Sequence, residues 1–85
     1  MIENKVLVTI NVPSLEKSFD AYIPVNRKIY SVIEMLKTIL YSLSQGSFEM
    51  KDDYLIYNAI DGMEYDPNVL VRDTNIRNGS TIILL

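Results

Sequence analysis

Five carboxylates crowd one stretch of this chain: Asp52, Asp53, Asp61, Glu64 and Asp66. Such a set offers oxygen ligands to a hard cation, or a carboxylate pair for general acid–base work. A calcium loop, however, alternates its ligands at every second position around a fixed glycine and closes on a glutamate, and this spacing does not. The acids therefore read as solvated turn residues. Histidine and cysteine are both absent. A Ser-His-Asp or Cys-His arrangement is impossible, and the usual near-neutral proton shuttle is missing. Disulfides and thiolate metal sites are excluded with them. Ser42, Ser44 and Ser47 flank Gly46, but no basic residue or glycine-rich cradle makes a phosphate loop of them. What remains is isolated carboxylates and a tyrosine–lysine pair, so no catalytic residue, metal ligand or cofactor is assigned and a non-enzyme is expected.

The elements that would position any site must come from a chain of 85 residues, one domain spanning 1–85. Its apolar content of 48% suits a packed core, and 22% charged residues argue against disorder. No apolar run approaches the ~18 residues of a membrane span, and Met1 is not followed by a basic stretch and an apolar core. A cytoplasmic protein without direct membrane insertion is expected. The net charge is −3, with the basic residues scattered from Lys5 to Arg77 rather than striped, which argues against nucleic-acid binding.

Val6, Val8, Ile10 and Val12 alternate with Lys5, Leu7, Thr9 and Asn11, a half-buried strand by its period of two. Pro13-Ser14 breaks it, and Phe19, Ala21 and Ile23 mark a second strand that Pro24 closes. The period then changes. Ile29, Val32, Ile33, Leu36, Ile39, Leu40 and Leu43 predict an amphipathic helix over about 27–44, with Asn26 as N-cap and Gly46 as its stop. Tyr54-Leu55-Ile56-Tyr57 predicts a third strand. Asp61-Gly62 turns the chain into a short fourth strand, Met63-Glu64-Tyr65, which Asp66-Pro67 breaks. Asn78-Gly79 precedes a last strand that runs to Leu85. One helix covering one face of such a sheet is an α+β two-layer domain. The core is expected to hold Val8, Ile10, Phe19, Ile23, Ile29, Ile33, Leu36, Leu40, Leu55, Tyr57, Ile82 and Leu84.

The run Leu55-Ile56-Tyr57, then Val69-Leu70 through Asn75-Ile76, then Ser80-Thr81-Ile82, resembles the latter half of ubiquitin-like β-grasp domains. The resemblance covers the whole chain, with a few extra residues around Asn58 to Met63. It implies a mixed sheet in the order 2-1-5-3-4 with one packed helix. Within that fold the chain most resembles the small YukD/EsaB-like accessory proteins of bacterial type VII (WXG100) secretion systems. The residues that carry this likeness are Ile23-Pro24-Val25 leading into Ile29 and Val32-Ile33, and the closing Ile76-Arg77-Asn78-Gly79-Ser80-Thr81-Ile82-Ile83-Leu84-Leu85.

A β-grasp fold hosts tags, sulfur carriers and adaptors alike, so the fold alone does not choose among them. The sequence closes on Leu84-Leu85 without a flexible tail or Gly-Gly, and a modifier or sulfur carrier needs a glycine carboxylate. The expectation is therefore a non-catalytic, non-conjugated adaptor that docks on protein partners, implied by the resemblance to be secretion-machinery components. A modifier or carrier, and a regulatory binding module sharing only the fold, are the alternatives. Alternation puts Leu7, Ile56, Ile83 and Leu85 on the face away from the helix, as a hydrophobic partner-binding patch. Positions matching Ile56, Ile83 and Leu85 form the common docking patch of ubiquitin-like folds. Of six tyrosines, most suit strands and helix edges, but Tyr22 is expected at the rim of this face. A homodimer through the same face is a second outcome, and the helix side around Glu34, Lys37 and Tyr41 a second candidate surface.

Overall fold

The computed structural model describes residues 4–85. Strand β1 (Lys5–Val12) and strand β2 (Lys17–Pro24) form an antiparallel hairpin, with Val8 opposite Ala21 and Ile10 opposite Phe19. A single 3-10 turn, Pro13–Leu15, links them. Proline suits its first position, where the ring presets φ and no N–H is needed.

Helix α1 (Ile29–Leu43) follows. Asn26 does not cap it. Lys28 takes the cap position without a side-chain bond, because the free amides are met elsewhere. The Ile29 N–H donates to the Val69 carbonyl at 2.9 Å and the Tyr30 N–H to the Pro67 carbonyl at 3.0 Å. A tertiary loop thus does the work that a local cap would do. At the other end Gly46 adopts φ +85°, and its N–H donates to the Tyr41 carbonyl at 2.9 Å. This is the left-handed stop that glycine favours.

Strands β3 (Ile56–Asn58) and β4 (Thr81–Leu84) complete the sheet in the order β2-β1-β4-β3. The central pair β1–β4 is parallel and the outer pairs are antiparallel. This is the expected order, with β4 as its last strand. The short fourth strand shrinks to one bridge between Tyr57 and Glu64. Two hydrogen bonds flank it, Asn58 N–H to Met63 O at 2.8 Å and Tyr65 N–H to Ile56 O at 2.9 Å. It extends no further because Asp66 accepts the Asn68 N–H at 2.9 Å, and Pro67 follows. That turn bends the chain off the sheet.

The core lies between α1 and one sheet face. Val8, Ile10, Val12, Ile23, Ile82 and Leu84 meet Ile29, Val32, Ile33, Leu36 and Leu40 there, all nearly inaccessible to solvent. Phe19 is only half-buried at the β2 edge, and Ile39 and Leu43 of the expected helical seam are exposed. Loop residues fill the rest: Phe48, Tyr54, Val71 and Ile76 are buried, with the Phe48 and Tyr54 rings stacked 5.0 Å apart.

The long connection from β3 to β4 is tied down by Tyr65. Its hydroxyl donates to Asn75 Oδ1 at 2.6 Å and accepts from Asn58 Nδ2 at 3.1 Å. Burial raises its pKa above the ordinary 10.0; the Asn58 hydrogen bond opposes that rise, and the nearby Asp61 carboxylate adds to it. The folded state therefore holds this proton more tightly than the unfolded chain. Its contribution to stability is intact below about pH 10 and is lost as pH climbs through the folded-state value. Tyr65→Phe is expected to cost about 1 kcal/mol at neutral pH, the usual net worth of such a bond, and to make the alkaline loss of stability shallower. Urea titrations of both proteins at neutral and alkaline pH measure the two effects.

Candidate docking face of the sheet

Strand alternation decides which side chains reach the open face, since successive residues point to opposite sides and directly paired residues share a side. Ile82 and Leu84 of β4 face the helix and are buried, so Thr81 and Ile83 face away. Tyr57 stands opposite Ile83 and joins it. Leu55 and Leu85 extend the same side, bonded backbone to backbone in both directions at 3.1 Å. Leu55, Tyr57 and Ile83 are half-buried and Leu85 is 58% exposed. These four side chains form a contiguous apolar strip over β3 and β4.

The expectation for Ile56 is corrected here. It stands opposite Leu84 and is 0% exposed, a core residue rather than a docking one. Leu55 and Tyr57, expected inside, take the open side. The four residues Tyr54 to Tyr57 are all apolar, so period two fits either phase, and a one-residue slip exchanges the faces. The pairing with Leu84 sets the phase.

Leu7 does reach the open face, 39% exposed, but at its other end. It pairs with Tyr22, which is 48% exposed as expected. The parallel register places Asn11, not Leu7, beside Ile83. Four residues of strand separate Leu7 from that point, about 13 Å. Leu7 and Tyr22 thus form a separate small contact surface. Between them and the strip lies a polar zone closed on itself. The Thr9 hydroxyl donates to Asp20 Oδ1 at 2.8 Å, and the Ser18 hydroxyl to Asn11 Oδ1 at 2.6 Å. These groups are paired with one another and separate the two apolar parts of the face.

The helix side is less open than expected. Lys37 is 4% exposed, its stem buried and its Nζ 3.0 Å from Glu34 Oε2 and 4.0 Å from Asp52 Oδ1. A lysine can hide its methylenes this way while the ammonium meets carboxylates. Glu34 and Tyr41 remain exposed. A concavity of about 460 Å³ lies between β2 and α1 and is lined by Lys5, Tyr22, Pro24, Arg27, Ser31 and Met35 among others. Among the described residues no group of three or more acids is placed to hold a metal ion, and no helix is long and apolar enough to cross a membrane.

No protein-family model matches the sequence, and no curated protein does. Solved structures do match. A protein described as a molecular mimic of SUMO that promotes DNA repair superposes with a TM-score of 0.74 at 14% identity, over 100% of this chain and 95% of that one. The EccD5 ubiquitin-like domain from Mycobacterium xenopi gives 0.70 at 16% identity, over 95% of this chain and 92% of that domain. A subunit of an ESX-5 inner membrane complex gives 0.70 at 10% identity over 96% of this chain, which spans only 21% of that subunit. At such identities the likeness carries the architecture, and together with the observed strand order it establishes that this chain has the ubiquitin-like β-grasp fold.

Proposed function

We propose that this protein is a non-catalytic ubiquitin-like adaptor that docks on a protein partner through the open face of its sheet. The observation that carries this reading is the apolar strip Leu55, Tyr57, Ile83 and Leu85, set off from the smaller Leu7–Tyr22 pair by a polar zone that is internally hydrogen-bonded. Four adjoining apolar side chains on the open face of a small domain, three half-buried and Leu85 exposed, support an interaction surface. The role uses a surface and requires no chemistry at a terminus, which sets it apart from conjugation or sulfur transfer. The site of action proposed is an accessory position in a type VII (WXG100) secretion system, in the cytoplasm, against a cytosolic part of the machinery. The likeness to the EccD5 ubiquitin-like domain over nearly its whole length supports that setting.

The test is a double change, Tyr57→Ser with Ile83→Ser, which spares the buried Ile56. Genes for WXG100 substrates and an FtsK-like ATPase should lie beside the gene for this chain, and the cytosolic domains of that ATPase are the bait. Binding to the wild type is expected, with loss in the double variant while circular dichroism shows the fold unchanged. Binding that survives the change in a folded variant would remove this face as the site.

A further inference from the structure

The turn bonds of Asp61 and Asp66 and the Asp52–Lys37 pair do not account for the density of carboxylates in this part of the chain. From Glu49 to Asp66 the chain carries six acids and one base, Lys51, a net −5 in a protein whose total is −3, so the remainder is +2. That segment contains β3 and both of its flanking loops, and it borders the apolar strip. Glu64 is placed most tellingly. It pairs with Tyr57 across the bridge, shares the open face with it, and is exposed. Asp61 and Asp66 are exposed beside it, each using one carboxylate oxygen to accept a backbone N–H at 2.9 Å. Among the described residues the only ion pairs are those of Lys37 with Glu34 and Asp52. Among the described residues Asp61, Glu64 and Asp66 therefore have no cation of their own.

We infer that the occupant of the strip is a basic, amphipathic protein segment, its aliphatic side chains on Leu55, Tyr57, Ile83 and Leu85 and its lysines or arginines against Asp61, Glu64 and Asp66. This inference rests on the docking reading above and adds the partner's chemistry to it. Unneutralised acids at the edge of an apolar surface repel acidic partners, anionic bilayers and nucleic acid, and they steer a cationic partner into register. Exposed pairs of this kind add little affinity each, so the apolar strip holds the segment and the acids select it.

Two synthetic peptides test this on the isotope-labelled protein by NMR: an amphipathic leucine–lysine helix, and the same sequence with glutamate for lysine. The leucine–lysine peptide should shift the amides of Leu55, Tyr57, Ile83 and Leu85 together with Glu64, and added salt should weaken it. Asp61→Lys with Glu64→Lys should weaken it about tenfold and reverse the preference between the peptides. Ile83→Ser should abolish binding of both. If the glutamate peptide binds the wild type at this face equally well, the basic-partner inference fails while the docking face stands. If the shifts fall elsewhere and ignore Ile83→Ser, the face itself fails, and the inference with it. Self-association by light scattering that is lost on Ile83→Ser and untouched by the lysine peptide would make a second copy the occupant and overturn the proposal.

Discussion

Replacing Leu36 by alanine is expected to destabilise the domain by about 2–5 kcal/mol, the range for truncating a large aliphatic side chain in a closed core. Leu36 is 1% exposed at the centre of the helical face that covers the sheet. Its neighbours Val32, Ile33 and Leu40 are fixed on the same helix and can collapse only partly into the space. A domain of this size has roughly 4–13 kcal/mol of stability in total. The loss should therefore move the urea midpoint far, without changing the slope of the transition. A measured loss below ~1 kcal/mol would mean that this face of α1 does not meet the sheet.

The second large effect separates two neighbours in sequence. Ile56→Ser is expected to cost about 3–5 kcal/mol, since it opens a cavity opposite Leu84 and leaves a hydroxyl in an apolar surrounding. Tyr57→Ser, one residue on, should cost well under half of that, because its ring lies on the open side across from Ile83. Thermal melts of the two single variants decide the phase of β3 directly. Equal losses, or a larger one at Tyr57, would reverse the assignment of faces.

What could be read without coordinates follows from where the pattern is unambiguous. β1 alternates β-branched residues with polar ones, so its phase is fixed, and Leu7 falls on the open side as expected. β4 is apolar from Ile82 onward, yet its phase is also recovered, with Ile82 and Leu84 inside. β3 has the same ambiguity at Leu55-Ile56, and the structure adopts the phase opposite to the expected one; only a long-range partner, here Leu84, resolves such a case. The helix is legible by period, but its start is not, because the Val69 and Pro67 carbonyls, 40 and 37 residues away from the amides they accept, take the place of a local side chain. Phe48, Tyr54, Val71 and Ile76 were missed as core because they sit in loops, where no period announces burial. The apolar strip is half legible: Ile83 and Leu85 from alternation, Leu55 and Tyr57 only from the pairing of β3 with β4. The significance of the acids needed Glu64 set opposite Tyr57, a pairing that turn residues do not encode.

The parallel pairing of β1 with β4 also dictates when this protein can fold. Leu7 is joined to Asn78 and the two lie 71 residues apart, so the centre of the sheet is a contact between early and late chain. Closing a loop of that size costs roughly 4 kcal/mol in the logarithmic chain-entropy estimate. The hairpin β1–β2 and helix α1 can form from local contacts, but they leave one edge of β1 unpaired until β4 arrives. On the ribosome that edge stays exposed until β4 has emerged. An aggregation-prone interval therefore belongs to synthesis rather than to the finished domain, and slow translation before Thr81 should lengthen it.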